Sequence, residues 1–365
     1  MRLLGIGTAL PAGSVDQATA AALSRGLVAN DDRQGRLLEG LFRRSGVQQR
    51  HSVLVDAEAG TQDFYAPRAG VDDSGPDTEA RMQRYELEAG SLAVRASQKG
   101  LDDAGVKASE VTHLVTVTCT GFHAPGPEIT LIDDLGLSTD VARVAVGFMG
   151  CHGAFNGLRL ADAIVRAEPA ARVLVCAVEL CSLHFSYQWD SPKLVANALF
   201  ADGAAAFVCA NDVVDDPRRD GSARLTLDRF ASRLIPGSRG AMSWRIGSHG
   251  FEMTLSADLP GIIEKQLPEW LGPWMRDAAD GAATTHWAVH PGGPRILDAV
   301  QRGMSLDGAA LDRSRHILAQ HGNMSSATVG FILDDLRRSA STGAGVALGF
   351  GPGLVAEAFE FRLDG

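Results

Sequence analysis

The sequence predicts an α/β layered fold in two halves, and three observations carry that reading. Near-continuous apolar runs at 172–179 and 204–210 read as strands buried on both faces. They alternate with longer stretches that are apolar at helical spacing, the pattern of helices packed on a sheet. The order helix, strand, polar tip, helix, strand then occurs twice, so an internal duplication is expected. A polar, turn-rich stretch at 212–222 supplies the boundary, dividing the chain into residues 1–215 and 216–365.

The first half opens on a short strand within residues 1–7, and the Ala- and Leu-rich stretch 14–41 has helical spacing. Another short strand follows Gln48-Gln49-Arg50-His51. Clusters of Gly, Pro and Asp over 55–80 predict a surface loop. Met82, Tyr85, Ala89, Leu92, Ala93 and Ala96 form the apolar face of a helix from 78 to 104. A strand at 111–119, a loop at 120–127 and a short helix at 129–135 come next. The apolar run 141–146 reads as a buried strand and ends in Gly147-Phe148-Met149-Gly150-Cys151-His152-Gly153-Ala154. Ala154, Leu158, Ala161 and Val165 then continue at helical spacing.

In the second half a helix is expected at 294–303 and a strand at 315–318. Gly322-Asn323-Met324-Ser325-Ser326 opens a helix to 338, and strands at 345–348 and 355–361 close the chain. On this plan the 325–338 helix is the counterpart of the helix after Cys151. The polar tips of both halves then meet at one site.

Composition narrows the function. A net charge of -10 opposes general nucleic-acid binding, which needs a basic face. The five cysteines (Cys119, Cys151, Cys176, Cys181 and Cys209) are odd in number and lie in or beside apolar runs. They form no disulfide framework, which favours a reducing compartment. The N-terminal segment lacks the apolar region of a signal peptide, and no uncharged run is long enough to span a bilayer. A soluble, cytoplasmic protein is expected.

Three tips carry chemistry. Cys151 falls where a strand gives way to a helix, whose unpaired amides and positive end favour a thiolate. His290 ends a strand in Trp287-Ala288-Val289-His290-Pro291-Gly292-Gly293, and Asn323 opens a helix. A thiol, an imidazole to take its proton and an amide donor for a developing oxyanion make a nucleophilic site. Taken singly, each has a bland reading: a small buried hydrophobe, a strand-end histidine and a helix cap. Taken together they point to one active site. A metal is not expected, because His286 and His290 would lie ~13 Å apart along a strand. No Cys or His spacing suits zinc, and no glycine-rich segment matches a phosphate loop.

Around these tips lie Gly150-Cys151, Leu199-Phe200-Ala201-Asp202-Gly203-Ala204-Ala205, Leu259-Pro260-Gly261-Ile262 and Val289-His290-Pro291-Gly292-Gly293. Gly322-Asn323-Met324-Ser325-Ser326-Ala327 and Gly349-Phe350-Gly351-Pro352-Gly353-Leu354 follow. In these stretches the chain resembles the type III polyketide synthases, the chalcone-synthase-like branch of the thiolase superfamily. The resemblance implies a thiolase-like fold of two duplicated βαβαβαββ halves packed as an αβαβα layered structure. It implies that Cys151 carries the acyl chain, while His290 and Asn323 stabilise the enolate from malonyl-CoA and the oxyanion of condensation. Phe200 would gate the channel, with Met253, Trp244, Cys119, Thr120, Cys181, Leu183 and Ser325 around the cavity. The loop Gly349, Phe350, Gly351, Pro352 and Gly353 would let backbone approach a cyclisation pocket. Arg44 matches a coenzyme A contact, with Arg36 and Arg43 beside it. Acyl-CoA and malonyl-CoA enter as substrates, no cofactor is implied, and the family is homodimeric.

Several positions depart from the plant-type pattern. Met253 stands at a second gating phenylalanine, Trp244 at a cavity glycine, and Cys119, Cys181 and His184 at threonines. Ala124 stands where plant relatives send a larger side chain across the subunit interface. A bulky Trp244 narrows the cyclisation space, and a flexible Met253 admits an aliphatic chain. An aliphatic starter giving an alkylresorcinol or alkylpyrone is therefore expected. Cys119 leaves a naphthalene-type product open. Two alternatives share the Cys/His/Asn set: a carrier-protein-dependent enzyme of the ketoacyl synthase III type, and a cysteine hydrolase.

Overall fold

The computed structural model describes residues 1–70, 72–212, 224–277, 284–339 and 341–364. The expected domain boundary at 215 lies outside them. The chain opens with strands β1 (Arg2–Ala9) and β2 (Ser14–Asp16). The stretch expected to be helical to residue 41 is two helices, α1 (Gln17–Val28) and α2 (Asp32–Arg43). The carboxylates of Asp16 and Asp31 accept from the amides of Thr19 and Gln34, both at 2.7 Å, so each aspartate starts a helix. Strand β3 (Gln49–His51) pairs with β2. Helix α3 (Thr78–Ala104) has its expected bounds, starting at an Asp77 cap and ending at left-handed Gly105.

Strand β4 (His113–Thr118), helix α4 (Pro127–Leu135), strand β5 (Ala142–Gly147), helix α5 (Gly153–Ala167) and strand β6 (Arg172–Leu180) follow. Helix α6 (Ser191–Leu199) and strand β7 (Asp202–Ala210) complete this half. The second half contributes strand β8 (Arg224–Leu234), the hairpin β9 (Met242–Gly247) and β10 (Gly250–Leu255), and helix α7 (Leu259–Arg276). None of these four was expected. Strand β11 (Thr284–Val289) and helices α8 (Pro294–Gly303), α9 (Asp312–His321) and α10 (Thr328–Arg338) come next. Strands β12 (Gly343–Gly351) and β13 (Val355–Asp364) close the chain.

The strand expected at 315–318 is part of α9. Leu311, Ser314 and Leu318 are buried at spacings of three and four, which is a helical stripe. This helix takes the place where a third strand would complete the second repeat. The first half thus follows βαβαβαββ, while the second, among the described residues, is one strand shorter.

Among the described residues nine strands form one sheet in the order β11-β12-β13-β8-β1-β7-β6-β4-β5. The two halves join through β1 and β8, where Arg2 pairs with Thr226 and Leu3 with Leu225. Alternation along β7 shows how the layers arise. Ala204, Ala206 and Val208 face a core with Leu92 and Ala96 of α3, while Ala205, Phe207 and Cys209 face a second core. That second core holds Ala154 and Leu158 of α5 beside Val329 and Ile332 of α10, with Ala347 and Phe359 of β12 and β13 beyond them. A third core packs Ile263 and Leu267 of α7 and Leu297 of α8 on the outer side of β12, at Val346 and Leu348. Helices, strands, two central helices, strands and helices therefore stack as five layers. Gly157 in α5 sits against Val117 and Val175, a closeness that a larger side chain would prevent.

Strand β5 corrects an expectation. It lies at the end of the sheet order with β4 as its neighbour, and Val144 is 43% exposed. An apolar run cannot by itself distinguish a central strand from an edge. All five cysteines are buried and unpaired. Among the described residues no helix is long and apolar enough to cross a membrane.

Candidate active site

Two tips of similar construction hold Cys151 and Asn323. Cys151 lies in a turn of 3-10 helix, Gly150–His152, between β5 and α5. Ser325–Ala327 forms the matching turn between Asn323 and α10. Each tip carries a non-glycine residue at positive φ, Phe148 at 60° and Ser325 at 47°. Strain of this kind persists where the surroundings hold it, characteristically at functional sites. His290 extends β11, its amide donating to Leu348 O at 2.8 Å, and Pro291-Gly292-Gly293 leads into α8.

Cys151, His290 and Asn323 line one cleft of about 810 Å³, together with Phe200, Met253, Phe350 and Arg44. A narrower cavity of about 250 Å³ is lined by Cys119, Thr120, Cys181, Trp244, Ser325 and Pro352. Cys151, Phe200 and Met253 line both spaces. The thiol therefore sits at the junction, beside the two positions expected to gate it.

Burial dominates the electrostatics. It pushes the Cys151 thiol up to about 12, hydrogen bonds from Ser325 and Asn323 opposing and the charge of Glu179 adding to the rise. The thiolate expected from the helix terminus is thus not the resting form. Burial also lowers His290 to about 3, with repulsion from His152 contributing. Both ring nitrogens of His290 are buried and have no hydrogen-bond partner among the described residues. Asn323 is held more tightly. Its Oδ1 accepts from the Ser325 amide at 2.9 Å, and its backbone bonds Leu199 O and Ala201 N, both at 2.9 Å. With Oδ1 so engaged, the carboxamide nitrogen is the group that hydrogen-bonds the Cys151 thiol.

Sequence reasoning missed Glu179. Its buried carboxylate accepts from the Cys119 amide at 3.0 Å and thiol at 3.3 Å, from Thr120 Oγ1 at 2.7 Å and from Ser326 Oγ at 2.5 Å. A glutamate inside the apolar run 172–180 was the available signal, since a buried charge requires such partners. The Cys119 sulfur also lies 3.2 Å from Ser325 Oγ. Behind Cys151, His152 Nδ1 lies 2.9 Å from Asn156 Oδ1, and Asn156 donates to Glu357 at 3.3 Å. The amide's commitment to the carboxylate makes His152 Nδ1 the donor.

Trp244 and His184 build the cavity wall. The indole N–H donates to Cys119 O at 2.7 Å, and His184 Nε2 donates to Thr120 O at 2.7 Å while Nδ1 accepts from the Phe251 amide at 2.9 Å. The imidazole stacks on Phe251 at 4.2 Å and meets Trp244 edge-on at 5.4 Å. Burial takes His184 down to about 3, so the ring is neutral.

Two expectations about the cavity fail. Leu183 is buried in the core against α3 and lines neither space. The segment expected as a loop at 349–353 is strand β12 as far as Gly351. Gly349 and Gly351 face Phe155 and His152, whereas Phe350 lines the cleft and Pro352 the cavity. The glycines make room for Cys151's own helix. Gly353, at φ 120°, turns the chain into β13. Arg44, at the C-cap of α2, lines the cleft as expected; Arg36 and Arg43 do not, while Arg295 at the start of α8 does.

The N-terminal domain of chalcone and stilbene synthases matches residues 1–213, and the C-terminal domain of the same family matches 226–363. The chain is 30% identical over 364 residues to the alpha-pyrone synthesis polyketide synthase-like Pks18 of Mycobacterium tuberculosis, covering 98% of this chain and 90% of that one. Among solved structures, PKS-I of the brown alga Ectocarpus siliculosus superposes with a TM-score of 0.89 at 27% identity, covering 99% and 97% of the two chains. The C-terminal type III domain of Steely1 from Dictyostelium does so with a TM-score of 0.87 at 27% identity, covering 99% of each. Matches to both halves decide against a ketoacyl synthase III or a cysteine hydrolase. The chain belongs to the chalcone and stilbene synthase family and is a type III polyketide synthase, a condensing, acyl-transferring enzyme of thiolase-like fold.

Proposed function

We propose that this synthase loads an aliphatic acyl group from its CoA thioester onto Cys151, extends it with malonyl-CoA and releases an alkylpyrone. The observation that carries the reading is the position of Cys151 between a wide cleft with Arg44 and Arg295 at hand and a narrow cavity with Leu23, Leu27, Leu54 and Val55 in its lining. Arginines suit the phosphates of CoA. An apolar, narrow space suits a flexible chain. The relationship to an alpha-pyrone synthesis enzyme supports the ring type.

The proposed steps follow from the side chains. His290, neutral at working pH, takes the Cys151 proton as the sulfur attacks the acyl-CoA carbonyl, and CoA leaves with a proton. Malonyl-CoA then enters the cleft, where His290 and the Asn323 carboxamide donate to its thioester oxygen. Loss of CO2 leaves an enolate held by those donors. Phe200, at the junction, replaces water around the malonyl carboxylate and disfavours its charge. The enolate carbon attacks the Cys151 thioester and the thiolate departs. The extended chain, now a CoA thioester, is passed back to Cys151 with loss of CoA for each further round. At the end an enol oxygen of the chain attacks its own thioester carbonyl, and the thiolate leaves as the pyrone closes. Trp244 and His184 bound the narrow space in which the chain would fold to close its ring. Five unpaired, buried cysteines support a cytoplasmic location. The exposed edge strand β5, with exposed Phe122 and Met149, supports a homodimer formed on that side.

The direct test mixes the purified chain with a panel of acyl-CoAs and labelled malonyl-CoA. CO2 release and extended pyrones are expected from long-chain starters without any carrier protein, and Cys151→Ala should abolish acyl loading. Resorcinols as the main product would overturn the ring assignment, and loading that persists at Cys119 would overturn the nucleophile.

Met253→Phe should lower kcat/KM for long acyl-CoAs relative to short ones by roughly tenfold, the scale of a small misfit in an apolar pocket. An unchanged profile removes Met253 from starter selection.

Alkylation of Cys151 tracks its thiolate fraction, so with the thiol raised to about 12 the rate should climb about tenfold per pH unit through pH 9. A plateau below pH 7 would instead reveal a preformed thiolate–imidazolium pair.

Light scattering should give twice the chain mass, and Val144→Arg should give the monomer. A monomeric wild-type enzyme would exclude the edge-strand interface.

A further inference from the structure

The last carbonyls of a helix have no partner within it. In α6 they are met in a way that ties two parts of the active site together. Ala196 O accepts from the Phe200 amide at 3.0 Å. Asn197 O accepts from Arg50 Nη1 at 2.8 Å, and Ala198 O accepts from Arg50 Nη2 at 2.6 Å and Gln17 Nε2 at 2.9 Å. Leu199 O accepts from the backbone amide of Asn323 at 2.9 Å. Arg50 Nη1 also reaches Phe200 O at 3.0 Å, and the Ala201 amide donates to Asn323 O at 2.9 Å. One guanidinium thus frames the short stretch that presents Phe200 and from which the Asn323 tip hangs.

The frame is itself anchored. Gln17 Oε1 accepts from Arg50 Nη2 at 2.5 Å, while its amide nitrogen donates to Ser45 Oγ at 2.7 Å and Phe42 O at 3.3 Å. Those two contacts reach the end of α2, next to Arg44 in the cleft. Arg50 is 8% exposed, and its guanidinium lies over the Phe42 ring at 5.6 Å. Burial lowers it to about 10, with the charge of Asp202 opposing, so it remains a cation at neutral pH. A cation at a helix C-terminus is favoured by the helix dipole. Only a guanidinium offers several N–H groups in a fixed plane, which is what three carbonyls on one turn require.

We infer that Arg50 is a positioning residue for malonyl decarboxylation, holding Phe200 and Asn323 in register across the cleft while acyl loading on Cys151 proceeds without it. The inference rests on the roles proposed above for Phe200 and Asn323. Loading needs the thiol and His290, which hang on other elements. Decarboxylation needs the apolar ring and the carboxamide at one place. A residue that served only stability would affect both half-reactions alike.

The test uses the full chain with Arg50→Lys, Arg50→Met and Gln17→Leu. Loading is read by intact mass after mixing with lauroyl-CoA, decarboxylation by CO2 release from labelled malonyl-CoA, and folding by thermal melting. Arg50→Met should lose CO2 release by about tenfold to a hundredfold, the scale expected of ångström misplacement, with loading within about twofold of wild type. Arg50→Lys should fall between, and Gln17→Leu should show the same split more weakly; these two carry the test if Arg50→Met does not fold. Equal losses in both half-reactions, or full CO2 release from a folded Arg50→Lys enzyme, would overturn the inference alone. A wild-type enzyme that loads lauroyl-CoA yet releases no CO2 would overturn the reading of Phe200 and Asn323, and this inference with it.

Discussion

The structure depends on two helices being enclosed between strand layers. Helices α5 and α10 share one apolar core with β7 on one side and β12 and β13 on the other. Each must lie close to a strand layer, and glycine permits it: Gly157 of α5 meets Val117 and Val175, and Gly330 of α10 meets Ala205 and Phe207. Helix α5 begins where β5 ends and α10 follows α9, each through a 3-10 turn, one holding Cys151 and the other following Asn323. Packing therefore delivers both tips to the same interior place before any chemistry is considered. The histidine arrives separately, as the continuation of β11.

That interior place is dry, and its chemistry follows from dryness. Burial disfavours charge on Cys151 and on His290 in opposite directions, so the resting pair is a neutral thiol and a neutral imidazole. On the proposed mechanism charge appears only as the reaction creates it, beside the Asn323 carboxamide and the His290 ring. Glu179 is buried as well, and it is surrounded by five donors from Thr118, Cys119, Thr120 and Ser326. Its burial raises its pKa while those donors hold the charged form. The carboxylate thereby aligns Cys119 and the strand that precedes the cavity wall.

How much of this was legible depended on which force set each element. Helix α3 could be read to its ends, because an Asp77 cap, a regular apolar face and a terminal glycine are all local signals. Strand β5 could be located but not placed, since edge and centre differ only in neighbours. The 315–318 segment misled because four residues of apolar and basic character fit either period, and only Leu311 and Ser314 reveal the helix. The hairpin β9–β10 carries polar and glycine residues that carry no strong period, yet it brings Trp244 and Met253 to the cavity. Cys151, His290 and Asn323 were legible as residue types at polar tips. Glu179, His152 and Arg50 were not, for their importance lies in partners far apart along the chain.

The alternation of β12 divides the freedom to vary. Gly349 and Gly351 look toward Phe155 and His152, so any side chain added there would be driven into the helix that presents the sulfur. Phe350 and Pro352 look the other way, toward the cleft and the cavity. Parity along a single strand thus separates positions that lineages or engineers can diversify from positions whose alteration would cost Cys151 its seat.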